Sequence, residues 1–162
     1  MQQLDANDLR TAFRQQKNSE FYLPQLDNVD WGVLDYFGWL HPSGQQGYAA
    51  VVLGDELHGL KLRRMVNHGS KPRTHMCSWC HHVYRSRGTA MFSTAVKGSE
   101  GRRRIGNYIC KNLDCSLRIR NLVSDPPTYL PETIDLDRKI VRLTIAINSF
   151  IGRANQPSQT TY

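Results

Sequence analysis

An α+β fold is the class that the sequence predicts, and three patterns in the 162 residues lead to it. Aromatic and β-branched runs, separated by the loops HPSGQQG and GDELHG, predict an antiparallel meander in the N-terminal half. Two close pairs of cysteines flank a second predicted hairpin. Apolar residues at helical spacing near the C-terminus predict a long helix that closes the core.

A short amphipathic helix is predicted ahead of the meander. Leu9, Ala12 and Phe13 lie at helical spacing. Asp5 precedes them as a suitable N-cap, and Asp8 falls in the first turn, where an acidic side chain is favourable. The strands of the meander are predicted near 35–40, 48–53 and 57–66.

The second half of the chain is predicted to contain a hairpin and two helices. VYRSRGTAMFSTAV and RRRIGNYI flank the turn KGSEG and form a hairpin that ends at Cys110. A short helix starts near Cys115 and stops before Pro126, because a residue that precedes proline is pushed away from helical geometry. The closing helix follows from the recurring apolar residues Leu136, Ile140, Leu143, Ile147, and Phe150 or Ile151.

These elements predict two small domains and a tail. We expect an N-terminal helix plus meander over 1–70, a zinc-binding domain with the C-terminal helix over 71–153, and a disordered tail over 154–162. No stretch approaches the roughly 18 uninterrupted apolar residues of a membrane span. The N-terminus is polar where a signal peptide is basic and then apolar. We therefore expect a cytoplasmic monomer without a membrane partner.

The zinc prediction comes from the cysteines, which are Cys77, Cys80, Cys110 and Cys115. Disulfides do not persist in a reducing compartment, so their pairing in sequence favours metal thiolates. Two residues between the first pair let both sulfurs face one ion, and the four residues within the second pair suit ligands as well. A knuckle, a hairpin and a helix whose first turn donates ligands form a treble-clef zinc finger. A closed four-cysteine site offers no position for water, which argues against an enzyme.

Three other interpretations of the motif remain open. A redox CxxC belongs in a βαβ setting without a second cysteine pair. His81 and His82 compete as zinc ligands, although their position beside Cys80 makes it hard for them to complete the same tetrahedron. The same histidines, with Asn107 or Asn112, are candidates for a metal-dependent nuclease, but no histidine follows Cys115 to supply a further ligand set.

The central segment is strongly basic. Of the 21 Lys and Arg residues, fourteen lie in 57–122, where Glu100 and Asp114 are the two acids. Zinc with four thiolates carries a net charge of about −2, which two or three cations offset. The remaining cations predict a polyanionic or acidic partner.

Aromatic residues are interleaved with these cations. We expect Trp79 and Phe92 to fill the small core, and Tyr84 and Tyr108 to be the more exposed pair. Stacking on bases and anchoring a protein interface are both open to exposed aromatics. The pattern therefore does not separate RNA from protein as the partner.

The combination CSWC…GRRRIGNYICKNLDCSLRIRNL resembles the C-terminal treble-clef zinc finger of the elongation-factor-G-binding proteins, a family that includes the FusB-type fusidic acid resistance proteins. The resemblance covers roughly 74–122 and depends on the CxxC knuckle, the long hairpin, the GNYIC strand end and the C-x4-C pair. It implies zinc on the four cysteines. In that family the zinc domain docks on elongation factor G through basic and aromatic residues, and the resistance proteins thereby release the factor from stalled ribosomes.

The same resemblance suggests where a partner binds. It implies Tyr108 as the first contact, with Phe92 and the run Arg102, Arg103 and Arg104 as weaker transfers. Tyr84 and Lys111 complete the candidate partner-binding set.

Two functions are therefore in competition. The first is a zinc-stabilised, non-enzymatic protein that contacts elongation factor G and modulates its release from the ribosome, with ribosomal RNA as a further candidate partner. The alternative is a basic zinc-finger module that binds RNA or DNA, with its arginines on phosphates and Tyr84 or Tyr108 stacked on bases.

Overall fold

The computed structural model describes residues 1–14, 21–65 and 73–156. The α+β class is confirmed. The described residues contain the helices α1 (Ala6–Phe13), α2 (Cys115–Ile119) and α3 (Leu136–Asn155), and the strands β1 (Phe37–Leu40), β2 (Gln46–Leu53), β3 (Glu56–Met65), β4 (His75–Met76), β5 (Val83–Tyr84), β6 (Thr89–Ala95), β7 (Arg104–Cys110) and β8 (Thr128–Leu130). Within those ranges, no helix has both the length and the apolar composition to cross a membrane.

Local signals in the sequence account for the helix starts. Asp5 caps α1 and forms a reciprocal capping box with Asp8, as the N-cap prediction requires. The carboxylate of Asp135 accepts the backbone N–H of Arg138 and caps α3 in the same way. Because α3 continues to Asn155, the first two residues of the predicted tail are helical; residues 157–162 lie outside the described ranges.

Five antiparallel strands form the main sheet, in the order β1-β2-β3-β6-β7. β2 and β3 pair over eight residue pairs, and β6 and β7 over seven. The join between these two hairpins is short, since β3 meets β6 through the pairs Arg63↔Ser93, Arg64↔Phe92 and Met65↔Met91. The sheet therefore contains strands from both predicted domains. The boundary at 70/71 falls outside the described residues, and the division into domains stays a prediction.

The hairpin before Cys110 differs from its prediction. VYRSRGTAMFSTAV is not one strand: β5 pairs with β4 and β8 in a separate three-stranded sheet, and only β6 joins the main sheet. The chain turns between them, with Arg87 at a φ of 54°. β8 was not predicted, because it lies among the prolines of DPPTYLPE and proline disfavours a strand assignment.

The main sheet separates two hydrophobic cores. The aromatic-rich core lies beneath α1, where Phe13 packs so closely on Gly59 that a Cβ there would approach its ring to 2.8 Å. The larger core lies on the other face and includes α3 and all four cysteines. Leu143, Ile147 and Phe150 of α3 are buried in it, as their helical spacing predicts.

A partly buried ion pair joins the start of the meander to the region of α2. The carboxylate of Asp35 accepts two hydrogen bonds from the Arg120 guanidinium, at 2.6 and 3.0 Å, and both side chains are at most 15% exposed. The backbone N–H of Asp35 also donates to Ser116 Oγ. These contacts anchor residues that are more than 80 positions apart in sequence.

Replacing Asp35 with Asn should destabilise the fold by about 3 kcal/mol, because the Arg120 charge would stay buried without its counter-charge. Urea unfolding of the metal-loaded protein measures this change. The control is Arg138→Gln, which breaks the exposed pair with Asp135 and should cost less than about 1 kcal/mol. Equal effects of the two variants would contradict a structural role for the Asp35 pair.

Candidate metal centre

The four cysteines come together from three parts of the chain. Cys77 and Cys80 lie on the turn between β4 and β5, Cys110 ends β7, and Cys115 begins α2. All four side chains are buried, and their sulfurs lie within 4.8 Å of one another. The predicted order of elements, in which a knuckle is followed by a hairpin and then by the start of a helix, brings the four sulfurs together.

The sulfur spacing fits one tetrahedral zinc ion. A Zn–S bond of about 2.3 Å places the corners of a tetrahedron about 3.8 Å apart. Cys77 Sγ lies 3.7 Å from Cys115 Sγ, and Cys80 Sγ lies 3.5 Å from Cys110 Sγ. These distances are too long for a disulfide, and all four cysteines are free.

The first cysteine pair forms a tight knuckle. The backbone N–H groups of Trp79 and Cys80 both donate to Cys77 Sγ, at 3.4 Å. The turn is closed by hydrogen bonds from Cys77 N to the His82 carbonyl and from His81 N to the Cys77 carbonyl, both 2.9 Å. This geometry places two amide dipoles against one sulfur, which favours its thiolate form.

Burial makes a bound cation necessary for a thiolate cluster. Loss of water raises the pKa of the Cys115 thiol well above its usual value. Four buried anions at this spacing would repel one another strongly, whereas a divalent cation at their centre offsets their charge. The donor set and its spacing therefore fit zinc.

Tyr84 contradicts its predicted exposure, since its side chain is 0% exposed. Its hydroxyl lies 3.1 Å from Cys110 Sγ. Burial raises the pKa of this hydroxyl well above its usual value, and the nearby charge of Cys110 raises it further. Strand alternation alone could not show this, because β5 leaves the hairpin and carries Tyr84 towards the cluster.

Two arginines lie beside the cluster, Arg118 buried and Arg142 half-buried. Arg118 forms an ion pair with Asp114 at 3.1 Å and lies 5.4 Å from the centre of the Tyr84 ring. Arg142 of α3 donates to the Cys80 carbonyl at 2.8 Å and pairs with Glu132 at 2.7 Å. Sequence reasoning missed both roles. The spacing of Arg118, three residues after Cys115 on the same helix, is the one local signal that could have placed it beside the site.

The two histidines are not members of the sulfur cluster. His81 adopts a φ of 60° at the end of the knuckle. The His82 ring packs on Tyr84 with 4.5 Å between ring centres. Burial lowers the pKa of His82, which favours its neutral form. Asn107, a candidate in the nuclease interpretation, accepts a hydrogen bond from Arg153 of α3.

The candidate partner-binding residues are divided between core and surface. Phe92 is fully buried, as expected for a core residue, and Tyr84 is buried as well, so neither side chain is available to a partner. The cations Arg102, Arg103 and Arg104 are exposed, and Tyr108 and Lys111 are half-buried. Exposed and half-buried candidates thus remain on β7 and its two ends.

Two of these residues, Arg104 and Tyr108, share a surface with residues of β3 and β6. The pairs Met91↔Tyr108, Ser93↔Gly106 and Arg63↔Ser93 place their members on one face of the main sheet, beyond the part that α1 covers. We call this surface the open face; it consists of Arg63, Met65, Met91, Ser93, Arg104, Gly106 and Tyr108. Arg63 was not singled out from the sequence, although the period of two along β3 could have placed it there.

Comparisons with known proteins identify the family. The family model described as the FBP C-terminal treble-clef zinc-finger matches residues 8–154, far beyond the segment 74–122 that carries the resemblance. Thus the meander lies within the match. The search of curated proteins found no match.

Among solved structures, the fusidic acid resistance protein FusC shares the fold, with a TM-score of 0.59 and 19% sequence identity. The match covers 94% of this chain and 59% of FusC, so the chain spans somewhat more than half the length of that protein. The family and the four buried cysteines together show zinc as the cofactor. The chain belongs to the FBP C-terminal treble-clef zinc-finger family.

Proposed function

We propose that this protein is a non-catalytic zinc protein of the cytoplasm that contacts elongation factor G and modulates its release from the ribosome. The family membership and the FusC-like fold support a protein of the fusidic acid resistance type. The open face supplies a surface for the contact. Because the match covers 59% of FusC, a role in fusidic acid resistance is likewise a proposal.

The four cysteines are the proposed zinc ligands. Cys77, Cys80, Cys110 and Cys115 would hold the ion in a closed site, where it supplies folding energy and no vacant position for a substrate. The chain's own groups would orient this site. The Trp79 and Cys80 amides fix Cys77, and Arg142 fixes the carbonyl of Cys80.

The observation that carries the proposal is the position of Tyr108. Its half-buried side chain lies on the open face, with the ring 5.1 Å from that of His75. Its carbonyl accepts the backbone N–H of Ser78 in the zinc knuckle at 2.8 Å. Because the zinc knuckle holds this part of the backbone, the Tyr108 side chain has a defined orientation, which lowers the entropy cost of docking.

Arg104, which lies on the same face of β7 as Tyr108, completes the proposed surface. The Arg104 guanidinium donates to the hydroxyl and the carbonyl of Ser93, at 3.1 and 2.8 Å, and is thus held against the sheet. We propose that this part of the surface steers an acidic region of the factor. Tyrosine and arginine are both enriched among the residues that dominate binding energy at protein interfaces.

RNA is the second candidate partner, and the Arg63–Arg104 pair favours it. Among the described residues no carboxylate lies within 4.0 Å of either guanidinium. Partial loss of water where its guanidinium lies against the sheet lowers the pKa of Arg104, and the positive charge of Arg63 lowers it further. Two neighbouring cations without an acidic partner form a suitable site for phosphate.

The zinc assignment predicts one zinc ion per chain in freshly purified protein, measured by elemental analysis. Cys110→Ser should lose zinc and unfold the treble-clef segment, because site assembly and folding are coupled. Ser78→Ala, an exposed change in the same knuckle, is the control and should retain both metal and melting temperature. A Cys110→Ser variant with one zinc and parental thermal stability would refute the assignment.

The docking proposal predicts that Tyr108→Ala weakens binding to purified elongation factor G by about 2 kcal/mol, roughly 30-fold in Kd. The change should appear mainly as faster dissociation, because a central anchor acts on the bound complex. Tyr129→Ala is the matched control: this tyrosine is 49% exposed but lies on β8 of the other sheet. If both variants bind like the parent, the open face is not the docking site.

Charge reversal at Arg104 should slow association with the factor, most strongly at low ionic strength, where the Debye length exceeds about 10 Å. Stopped-flow kinetics at several salt concentrations measures this. Arg138→Glu provides an exposed charge reversal on α3 and should leave association close to parental.

The same variants separate the two partners. If RNA is the partner, each of the variants Arg63→Ala and Arg104→Ala should lose one phosphate contact. In titrations with ribosomal RNA, the magnitude of the slope of log affinity against log salt concentration should therefore fall by about 1 in each variant. Normal binding of both variants to the factor, together with a collapse of RNA affinity, would replace the elongation-factor proposal with the RNA proposal.

A further inference from the structure

The two cysteine pairs supply different hydrogen bonds to their first sulfur. In the Cys77–Cys80 knuckle, two backbone N–H groups donate to Cys77 Sγ. Such donors withdraw charge from a thiolate and stabilise it in a buried site. This arrangement is a direct consequence of having two residues between the cysteines.

The longer second loop directs its amides elsewhere. The Leu113 N–H donates to the Cys110 carbonyl at 2.9 Å, and the Cys115 N–H donates to Tyr36 Oη at 3.4 Å. Within residues 110–115, all of which are described, no backbone N–H donates to Cys110 Sγ. Four residues between the cysteines thus leave this sulfur without the amide donors that Cys77 has.

The hydroxyl of Tyr84 occupies the position of such a donor, 3.1 Å from Cys110 Sγ. A phenol is protonated at neutral pH and donates one hydrogen bond. The contact is fully enclosed, since both side chains are 0% exposed.

The Tyr84 ring is held in place from two sides. A Cβ at position 88 would come within 2.0 Å of the ring, so only glycine leaves the space that the ring fills. The Arg118 guanidinium lies over the ring at 5.4 Å and is itself fixed by the carboxylate of Asp114 and the carbonyl of Pro126. The phenol therefore has little freedom to turn away from the sulfur.

We propose that Tyr84, positioned by Arg118, is a dedicated hydrogen-bond donor to the Cys110 thiolate, and that this bond sets how firmly zinc is retained and how reactive that sulfur is. The inference rests on the assignment of Cys110 as a zinc ligand and is independent of the identity of the binding partner. Partners of this kind, one step removed from the metal, commonly change metal affinity 10- to 100-fold when they are lost.

Tyr84→Phe in the full-length, zinc-loaded protein tests the proposal, because it removes one oxygen and leaves the ring against Arg118. Transfer of zinc to a chromogenic chelator should become roughly tenfold faster or more. Limited alkylation with iodoacetamide, mapped by mass spectrometry, should shift towards Cys110 as the first modified cysteine. In the cobalt-substituted protein, the sulfur-to-cobalt charge-transfer band should move to lower energy, because an unbonded thiolate releases charge more readily.

Tyr48→Phe is the matched control. Tyr48 is another buried tyrosine, but it lies in the aromatic-rich core on the other face of the main sheet, and its hydroxyl donates to the side-chain oxygen of Gln46 at 3.2 Å. The control should lower thermal stability while leaving the cobalt band and the order of alkylation at parental values. Those two measurements distinguish a bond to the thiolate from a general loss of packing.

Arg118→Lys provides a second test if Tyr84→Phe fails to fold. It keeps the positive charge but loses the planar support of the ring, so the cobalt band should move in the same direction by a smaller amount. One zinc per chain in parent and variant, with identical bands and zinc-transfer rates, would overturn the role of Tyr84. A parent without zinc would overturn the metal assignment itself, so the two failures are distinguishable.

Discussion

The convergence of four buried sulfurs within 4.8 Å is the constraint on which the remaining structure depends. Four thiolates at that spacing can be buried together only around a cation, so the metal is part of the core. Contacts from both halves of the chain reach the cluster. Tyr36, just before β1, bonds the loop between Cys110 and Cys115, while Arg142 of α3 holds the carbonyl of Cys80. The helix, the meander and the knuckle therefore share one centre of stability.

Features that depend on local sequence could be predicted, and features that depend on distant pairing could not. The spacing of Cys77 and Cys80 specifies a knuckle, and the period of Leu143 and Ile147 specifies a buried helix face, because both patterns act within a few residues. The burial of Tyr84 follows instead from β5 joining β4 and β8, where Tyr84 pairs with His75 and Thr128, 9 and 44 residues away in sequence. The pairing of β3 with β6 is equally non-local, and the interruption of the predicted strand near Arg87 has no clear local signature.

The contact between Ser78 and Tyr108 links metal binding to the surface. The Ser78 N–H donates to the carbonyl of Tyr108, the one candidate aromatic on the open face. A conformational change at the metal centre would therefore move the backbone that carries Tyr108. Arg118 has a comparable connecting role inside the protein, because it bridges α2, the Tyr84 ring and the carbonyls at Asp125 and Pro126. The metal centre and the proposed binding surface are thus joined by a direct backbone hydrogen bond.

The division of the main sheet into two faces has an evolutionary consequence. Side chains that point towards α3 must accommodate the sulfur cluster, so substitutions among them are constrained by packing. Arg63, Ser93 and Arg104 point the other way, where a change alters charge and shape at small cost to stability. Descendants of one metal-centred scaffold could therefore acquire new recognition specificities by drift on that face while the interior stayed under purifying selection.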